Sequence, residues 1–307
     1  MYDLRMEILK EFDISEVDSM KCLSRGEREM WYVNDKYFLK KFTDLNVLEK
    51  MLFINIELYQ AGVPVAKHYK TSSGKSCVEI NNEYYTLAEK ISGSHEYVQD
   101  IDYRKGAFLL GQNISKLHMA LLNLSHKAPY SIPNTSDMHT LKSWALNTIS
   151  EKNLAIRKEI IDYCIGFDEL YDSLPRQVIH TDLHRSNVLF ENGEVSAFLD
   201  LEVLQTEVRL KDICYYMNAE INCRDITDEL VEEWLETFKS LLSGYNTISE
   251  LKKEEFYAVP YILILHNLNA VALFASMEFP NIDKNIKSLN WLYDNKNKFS
   301  FSIKDMA

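Results

Sequence analysis

The sequence is short of paired cysteines, glycine, proline and positive charge, and each shortage removes a class of explanation. Its five cysteines, Cys22, Cys77, Cys164, Cys214 and Cys223, are odd in number, scattered, and form no CxxC pair. Neither a disulfide framework nor a zinc site is therefore indicated. Nine glycines and six prolines among 307 residues leave no low-complexity segment, and there is no internal repeat. The net charge of −12 leaves no basic face with which to neutralise the phosphates of a nucleic acid. Long apolar runs are missing too. The N-terminal MYDLRMEILKEF mixes acids and bases without the apolar centre of a signal peptide. Residues 258–274 are interrupted by His266, Asn267 and Asn269, which suits a buried helix better than a membrane span. The expectation is a cytoplasmic, reduced protein with no nucleic-acid or membrane partner.

The most informative stretch is residues 180–212, HTDLHRSNVLFENGEVSAFLDLEVLQTEVRLKD. Asp182 and Asn187 stand five apart, just before the apolar run Val188, Leu189 and Phe190. Asn192-Gly193 is the preferred two-residue hairpin loop. A second apolar run, residues 195–199, ends in Asp200. Pairing the two runs as an antiparallel hairpin brings Asn187 and Asp200 to within a residue or two of alignment. An amide oxygen beside a carboxylate, with a second carboxylate one short loop away, suits Mg²⁺ and a proton acceptor.

Residues 1–90 read as strand-rich with one helix. Trp31–Val33 and residues 37–42 flank the turn residues Asn34, Asp35 and Lys36. Lys40 and Lys41 are adjacent in the second run, so only one can face inward. Residues 46–59 have helical spacing, with an apolar stripe of Leu48, Met51, Leu52, Ile56 and Tyr59, a Gly62 stop and Pro64 beyond. Residues 77–80 and 84–87 make another hairpin. After Ser92-Gly93 strand signals are sparse and helices are expected at 103–124, from 140 to about 170, and at 229–242. The last quarter is also expected to be helical, with Pro260 at a start or kink. This predicts an α+β chain of two lobes: residues 1–90, small and built on an antiparallel sheet, and residues 91–307, larger and helical, with a cleft between them.

His180-Thr181-Asp182-Leu183-His184-Arg185-Ser186-Asn187, followed by a strand ending in Asp200, resembles the HxDxxxxN loop of the aminoglycoside phosphotransferase and choline kinase-like family, which shares the protein-kinase fold. Lys40 on a strand, a connector near Glu89, the LGxxxxxLH segment ending at His118, and Asp212 follow the family's order over most of the chain. The resemblance implies a kinase that uses ATP or GTP with Mg²⁺ to phosphorylate a small-molecule hydroxyl. Asp182 is implied as the catalytic base, and Asn187 and Asp200 as metal ligands assisted by Glu202. Lys40 would meet the α/β-phosphates, Glu49 would be its helix partner, and the backbone at Glu89 and Ile91 would bond the adenine. Asp212 would brace the loop.

Several positions depart from the family pattern. The phosphate-covering turn has only Gly26. Thr181 stands where glycine is common, an exchange expected to cost little chemically. Residues 206–211 replace a GDP-rich segment, and Glu49 lies two residues earlier than its expected place. No activation segment or APE motif follows Asp200, which disfavours a protein kinase.

Other polar residues have plainer readings. His118 ends an apolar helical stripe and reads as a satisfied core histidine. His180 reads as a structural member of the loop, and His184 as a polar loop residue within reach of substrate. Glu229, Glu232, Glu233 and Glu236 fall at i, i+3, i+4 and i+7 opposite Leu230, Trp234 and Phe238, as on a solvated helix side. Glu220, Asp225 and Asp228 stay open as acceptor contacts. The acidic second lobe leans toward an amine-bearing acceptor: an aminoglycoside first, then choline, homoserine or another small alcohol. A non-catalytic kinase-like binding or coat protein is the reading from a different class.

Overall fold

The computed structural model describes residues 2–24, 29–95, 103–133, 138–222, 226–280 and 282–300. Gly26 and Asp225, singled out above, lie outside them, as does the side chain of Asp228. The chain opens with helix α1 (Tyr2–Glu11), followed by β1 (Met20–Ser24), β2 (Met30–Val33) and β3 (Tyr37–Phe42). After α2 (Leu45–Gln60) come β4 (Val78–Ile80) and β5 (Glu83–Glu89). These strands form one antiparallel sheet in the order β1-β2-β3-β5-β4. The hairpin turns fall where asparagine tolerates left-handed backbone: Asn34 and Asp35 have φ of 52° and 53°, Asn81 and Asn82 53° and 60°.

The first lobe holds two helices rather than the one expected. α1 buries Ile8 and Leu9, with Phe12 just beyond it, against Trp31, Val33, Leu39 and Leu87 on one face of the sheet. Short, charged and weakly periodic, it left no clear pattern in the sequence. α2 lies between β3 and β4 in the chain, and Asp44 caps its start by accepting from the amides of Asn46 and Val47. Its buried side is Leu48, Met51, Leu52, Ile54 and Leu58, whereas Tyr59 is exposed. The expected stripe was thus rotated at its C-terminal end.

The second lobe is built from α3 (Tyr103–Ser125), α4 (Met138–Glu151), α5 (Lys158–Ile165), α6 (Asp168–Ser173), α7 (Leu210–Asn222), α8 (Asp228–Asn246), α9 (Lys253–Ser276) and α10 (Ile282–Asp294). Residues 140–170 divide into α4, α5 and the start of α6. α9 is apolar and long enough to span a membrane by composition, but 72% of its most apolar window is buried inside the fold. Pro260 falls inside α9, not at its start. α3 and α8 cross closely through two glycines. A Cβ on Gly111 would stand 2.0 Å from the Leu241 carbonyl oxygen, and one on Gly244 would stand 1.9 Å from that of Phe108. This contact sets His118, two turns further along α3, against Tyr245 of α8.

Between α6 and α7 lie four strands: β6 (Arg176–Ile179), β7 (Val188–Glu191), β8 (Glu194–Phe198) and β9 (Gln205–Val208). β7 and β8 form the expected hairpin, turning at Asn192 and Gly193 with φ of 52° and 81°. β6 and β9 pair antiparallel and went unread in the sequence, each being only four residues long. They explain why residues 206–211 depart from the family pattern. Buried Glu207 accepts from Tyr171 Oη at 2.9 Å and Arg176 Nη1 at 2.6 Å, while Arg209 makes a paired contact with buried Glu255 at 2.8 and 2.7 Å. Ion pairs hold this segment, which stands in place of the family's GDP-rich one.

Candidate active site

The β7–β8 hairpin carries the first part of the site. Its register pairs Val188 with Phe198 and Leu189 with Ala197, then shifts so that Phe190 meets Val195. Ser196 is the extra residue of this bulge. Its insertion sets Asn187 opposite Leu199, whose amide donates to the Asn187 carbonyl at 2.9 Å, so Asp200 comes next in line. Without the bulge Asp200 would lie one residue further away. Ser196 Oγ also donates to the Ser92 carbonyl at 2.8 Å, and Ser94 exchanges two backbone bonds with Phe190. The segment joining the lobes is thereby laid along the hairpin as a short extra strand. Gly93 makes that possible: its φ is 138°, and a Cβ there would stand 2.6 Å from Ser196 Oγ and 2.9 Å from the Phe190 carbonyl oxygen.

Asp182 faces open space but is held from two sides. Its Oδ1 accepts from Tyr215 Oη at 2.8 Å and its Oδ2 from Asn187 Nδ2 at 3.3 Å, with His184 Nε2 at 3.6 Å. Asn187 is buried, and its Nδ2 also donates to the Asp182 carbonyl at 2.8 Å. The amide nitrogen is therefore turned toward Asp182, which leaves Oδ1 at the other end. Burial and the Asp182 carboxylate push the Tyr215 phenol up, so it stays a donor at neutral pH.

Behind the loop stands Asp212. Its Oδ2 accepts from the His180 amide at 2.8 Å and His118 Nε2 at 3.0 Å, and its Oδ1 from the Thr181 amide at 2.8 Å. Burial drives this carboxyl upward, yet the bonds from His118 and His180 outweigh it and hold it below its ordinary value. His118 is a core residue bonded on its other side to Tyr245 Oη at 2.9 Å. His180 is buried, bonded through Nε2 to the Leu199 carbonyl at 2.7 Å, and so ties the loop to the end of β8. Thr181 corrects an expectation. Its φ is 67°, in the left-handed region, where a side chain costs about 1–2 kcal/mol. That is a physical reason for a glycine at this position. Here Thr181 Oγ1 offsets part of the cost by donating to the Val203 carbonyl at 2.8 Å.

The first lobe supplies the opposite wall. Lys41 shares the α1 side of the sheet with Leu39, and its ammonium pairs with Glu29 at 3.3 Å and Glu83 at 3.1 Å. Lys40 faces the other way, into a cavity of about 340 Å³ that also holds Asp182, Asp200 and Glu202 and is bordered by the Glu29–Lys41 pair. A second cavity, of about 390 Å³, shares Lys40, Asp200 and Glu202 with the first and continues to Phe38, Ala88, Glu89, Ile91 and Leu189. Together they form one cleft, charged at one end and apolar at the other. The β3–β5 pairing sets the Glu89 amide away from β3, where it donates to the Lys67 carbonyl at 2.9 Å. His68, lining the apolar end, is driven down to about 4 by burial and by Lys40, so it is neutral there. Glu49 does not join the site. It is exposed on α2, on the side of Cys77, and the expected pair with Lys40 does not form. Met51 and Asn55 are the α2 residues that line the cleft, two and six positions later and hence on another helix face.

On the far side of Asp182 lies a larger cavity of about 960 Å³. Its walls come from His184, Arg185 and Ser186 of the loop, one face of α7 (Tyr215, Asn218, Asn222), one face of α9 (His266, Asn269, Leu273), and parts of α4 and α10. The sequence signal for it was present but unread: of the polar residues that interrupt 258–274, His266 and Asn269 are cavity walls, and Asn267 is buried behind them on Asn222. Glu220, kept open as an acceptor contact, is instead buried beside Arg185 at 3.7 Å.

Residues 22–251 match the phosphotransferase enzyme family. A homoserine kinase of Methylobacillus flagellatus is 24% identical over 273 residues, covering 85% of this chain and 81% of that protein. An amicoumacin kinase solved in complex with AMP-PNP, Ca²⁺ and Ami superposes with a TM-score of 0.64 at 18% identity, covering 91% of this chain and 88% of that one. An aminoglycoside phosphotransferase from Alicyclobacillus acidocaldarius superposes with a TM-score of 0.61 at 11% identity, covering 96% and 93%. The resemblance seen in the HxDxxxxN loop is borne out, and so is the bilobal, protein-kinase-like fold.

Proposed function

Because the chain belongs to the phosphotransferase enzyme family, we propose that it transfers the γ-phosphate of ATP to the hydroxyl of a small hydroxy acid, with homoserine as the leading candidate. That it is a small-molecule phosphotransferase follows from the family itself. The observation that carries the mechanism is the place of Asp182, between a cleft holding Lys40, Asp200 and Glu202 and a cavity entered past Tyr215 and His184.

In this mechanism the apolar end of the cleft takes the adenine beside the Glu89–Ile91 backbone, and Lys40 meets the phosphates. The donors suit Mg²⁺, a hard cation that takes oxygen ligands and keeps several from water and phosphate. Among the described residues no group of three His, Cys, Asp or Glu stands ready to hold a metal, so an ion would be completed by the nucleotide. Asn187 Oδ1 and Asp200 would hold it, with Glu202 at the same cavity, and the ion would neutralise charge on the transferred phosphoryl group. Asp182 orients the acceptor hydroxyl and takes its proton as the P–O bond forms. Tyr215 and Asn187 fix the carboxylate for that task.

For the acceptor, the curated relatives are homoserine kinases. The charge of the larger cavity supports the same choice over an aminoglycoside, because its described walls include Arg185 and Lys284 and no carboxylate. Among the described walls a polycation would meet no carboxylate, whereas a carboxylate would meet Lys284 and Arg185, the latter beside Glu220 at 3.7 Å. The test is ADP release with homoserine, choline and an aminoglycoside in parallel. Turnover with homoserine above the others is expected; turnover with the aminoglycoside alone would reject this assignment.

A further inference from the structure

The cavity beyond Asp182 is divided by chemistry. Near the loop its walls are polar: Arg185, Asn218 and His266, with Lys284 from α10. Asn218 is almost fully buried, and its Nδ2 is committed to the Leu263 carbonyl at 2.9 Å. Its Oδ1 has no partner among the described residues, which leaves an acceptor for an N–H or O–H of the substrate. Farther out the walls are Leu141, Trp144, Leu273, Phe274 and Phe279. Trp144, Leu273 and Phe279 are 39%, 46% and 54% exposed, an unusual outlay of large apolar side chains unless something covers them.

Size points the same way. At about 960 Å³ the cavity is at the top of the range of roughly 300–1,000 Å³ that buries drug-sized ligands. Free homoserine would occupy the polar end and leave the aromatic end wet.

Building on the kinase reading above, we propose that the physiological acceptor is an amphiphilic hydroxy acid. Its hydroxyl lies at Asp182, its negative group lies toward Arg185 and Lys284, and its aromatic or alkyl body is packed on Trp144, Leu273 and Phe279. The reaction is unchanged: the acceptor oxygen bonds to the γ-phosphorus, the bond to the β–γ bridging oxygen breaks, ADP leaves, and the hydroxyl proton passes to Asp182.

The experiment compares homoserine with N-benzoyl-homoserine in the wild type and in the Trp144→Ala and Phe279→Ala variants. The wild type should use the benzoylated acceptor with a kcat/KM roughly tenfold or more above homoserine, the span that apolar contacts of this size provide. Each variant should lose most of that advantage while keeping its rate on homoserine, and the wild type's tryptophan fluorescence should respond to the benzoylated acceptor. Equal or better use of free homoserine, or variants that slow both acceptors alike, would overturn the proposal. Two variants guard against one that fails to fold. Failure of the underlying kinase reading looks different: no ADP from either acceptor and no stabilisation by Mg²⁺ and AMP-PNP.

Discussion

The cleft proposed for the nucleotide, lined by Asp182, and the cavity proposed for the acceptor, lined by its bonded neighbour Tyr215, are encoded in different ways. The cleft's floor comes from one continuous stretch in which Asp182, Asn187 and Asp200 are fixed by a loop, a bulged hairpin and an Asn-Gly turn. Its wall adds residues of the sheet, Lys40 among them. The other cavity takes residues from four helices and the loop, with α7 and α9 each contributing at i, i+3, i+4 and i+7. On the proposed function, the chemistry of phosphoryl transfer is thus held by short-range geometry, and acceptor choice by long-range packing. Changes to the cleft should therefore alter the reaction, and changes to the cavity, apart from Tyr215 where it holds Asp182, only the molecule it acts on.

The sharpest break comes at the shared residue. Asp182→Asn should lower kcat by about 10²–10⁴-fold while leaving nucleotide affinity near wild type. Asp200→Ala should instead abolish the Mg²⁺-dependent part of nucleotide stabilisation, measured as the shift in melting temperature. Tyr215→Phe separates positioning from chemistry. It removes the donor to Asp182 Oδ1 but keeps the ring that rests 4.4 Å from His266. A fall in kcat of roughly tenfold with unchanged KM for ATP is expected, about the worth of one hydrogen bond to a charged group.

The two lysines of β3 provide the next contrast. Lys40→Met should raise the KM for ATP severalfold. Lys41→Met should leave it unchanged and cost on the order of 1 kcal/mol of stability, because its partly buried pairs with Glu29 and Glu83 are structural. Reversed outcomes would mean that the sheet face is misassigned.

Each region also holds a neutral histidine. Burial, with Lys40, lowers His68 to about 4 in the cleft, and burial, with Lys211, lowers His266 to about 3 beneath the cavity. Both values lie below the ordinary 6.5, so the folded form binds fewer protons than the unfolded chain. The stability they contribute is complete above about pH 6.5 and is lost as pH falls toward 4. Melting temperatures across this range should decline less steeply in His266→Phe than in wild type. The smallest expected effect is at Thr181: the glycine variant should exceed the alanine variant by about 1 kcal/mol in unfolding free energy, because only glycine relieves the positive φ.

The same division explains what was legible in the sequence. Hairpins with Asn-Asp, Asn-Asn and Asn-Gly turns are local signals, and all three appeared where expected. For the same reason Asp182, Asp200 and Lys40 line one cleft, with Asn187 bonded to Asp182. Lys40 and Lys41 could not be separated in sequence, because the sheet face depends on α1, which covers Leu39 and leaves Lys40 to the cleft. Glu49 was chosen by distance along the chain, but helix phase put Met51 and Asn55 in the cleft. The cost at Thr181 is a backbone angle that no residue pattern displays. The acceptor cavity was hidden because Asn218, Asn222, His266 and Asn269 look like flaws in apolar helices until α7 and α9 are packed face to face.

The central claim is that Asp182 takes the acceptor's hydroxyl proton as a phosphoryl group passes directly from a nucleotide on one side of it to that hydroxyl on the other. Mass spectrometry of the acceptor after incubation with ATP and Mg²⁺ tests it most directly, using homoserine and N-benzoyl-homoserine with wild type and Asp182→Asn. The account predicts an acceptor heavier by one phosphoryl group with wild type and almost none with the variant, both proteins being stabilised by AMP-PNP. Phosphorylation by the variant at the wild-type rate would contradict it.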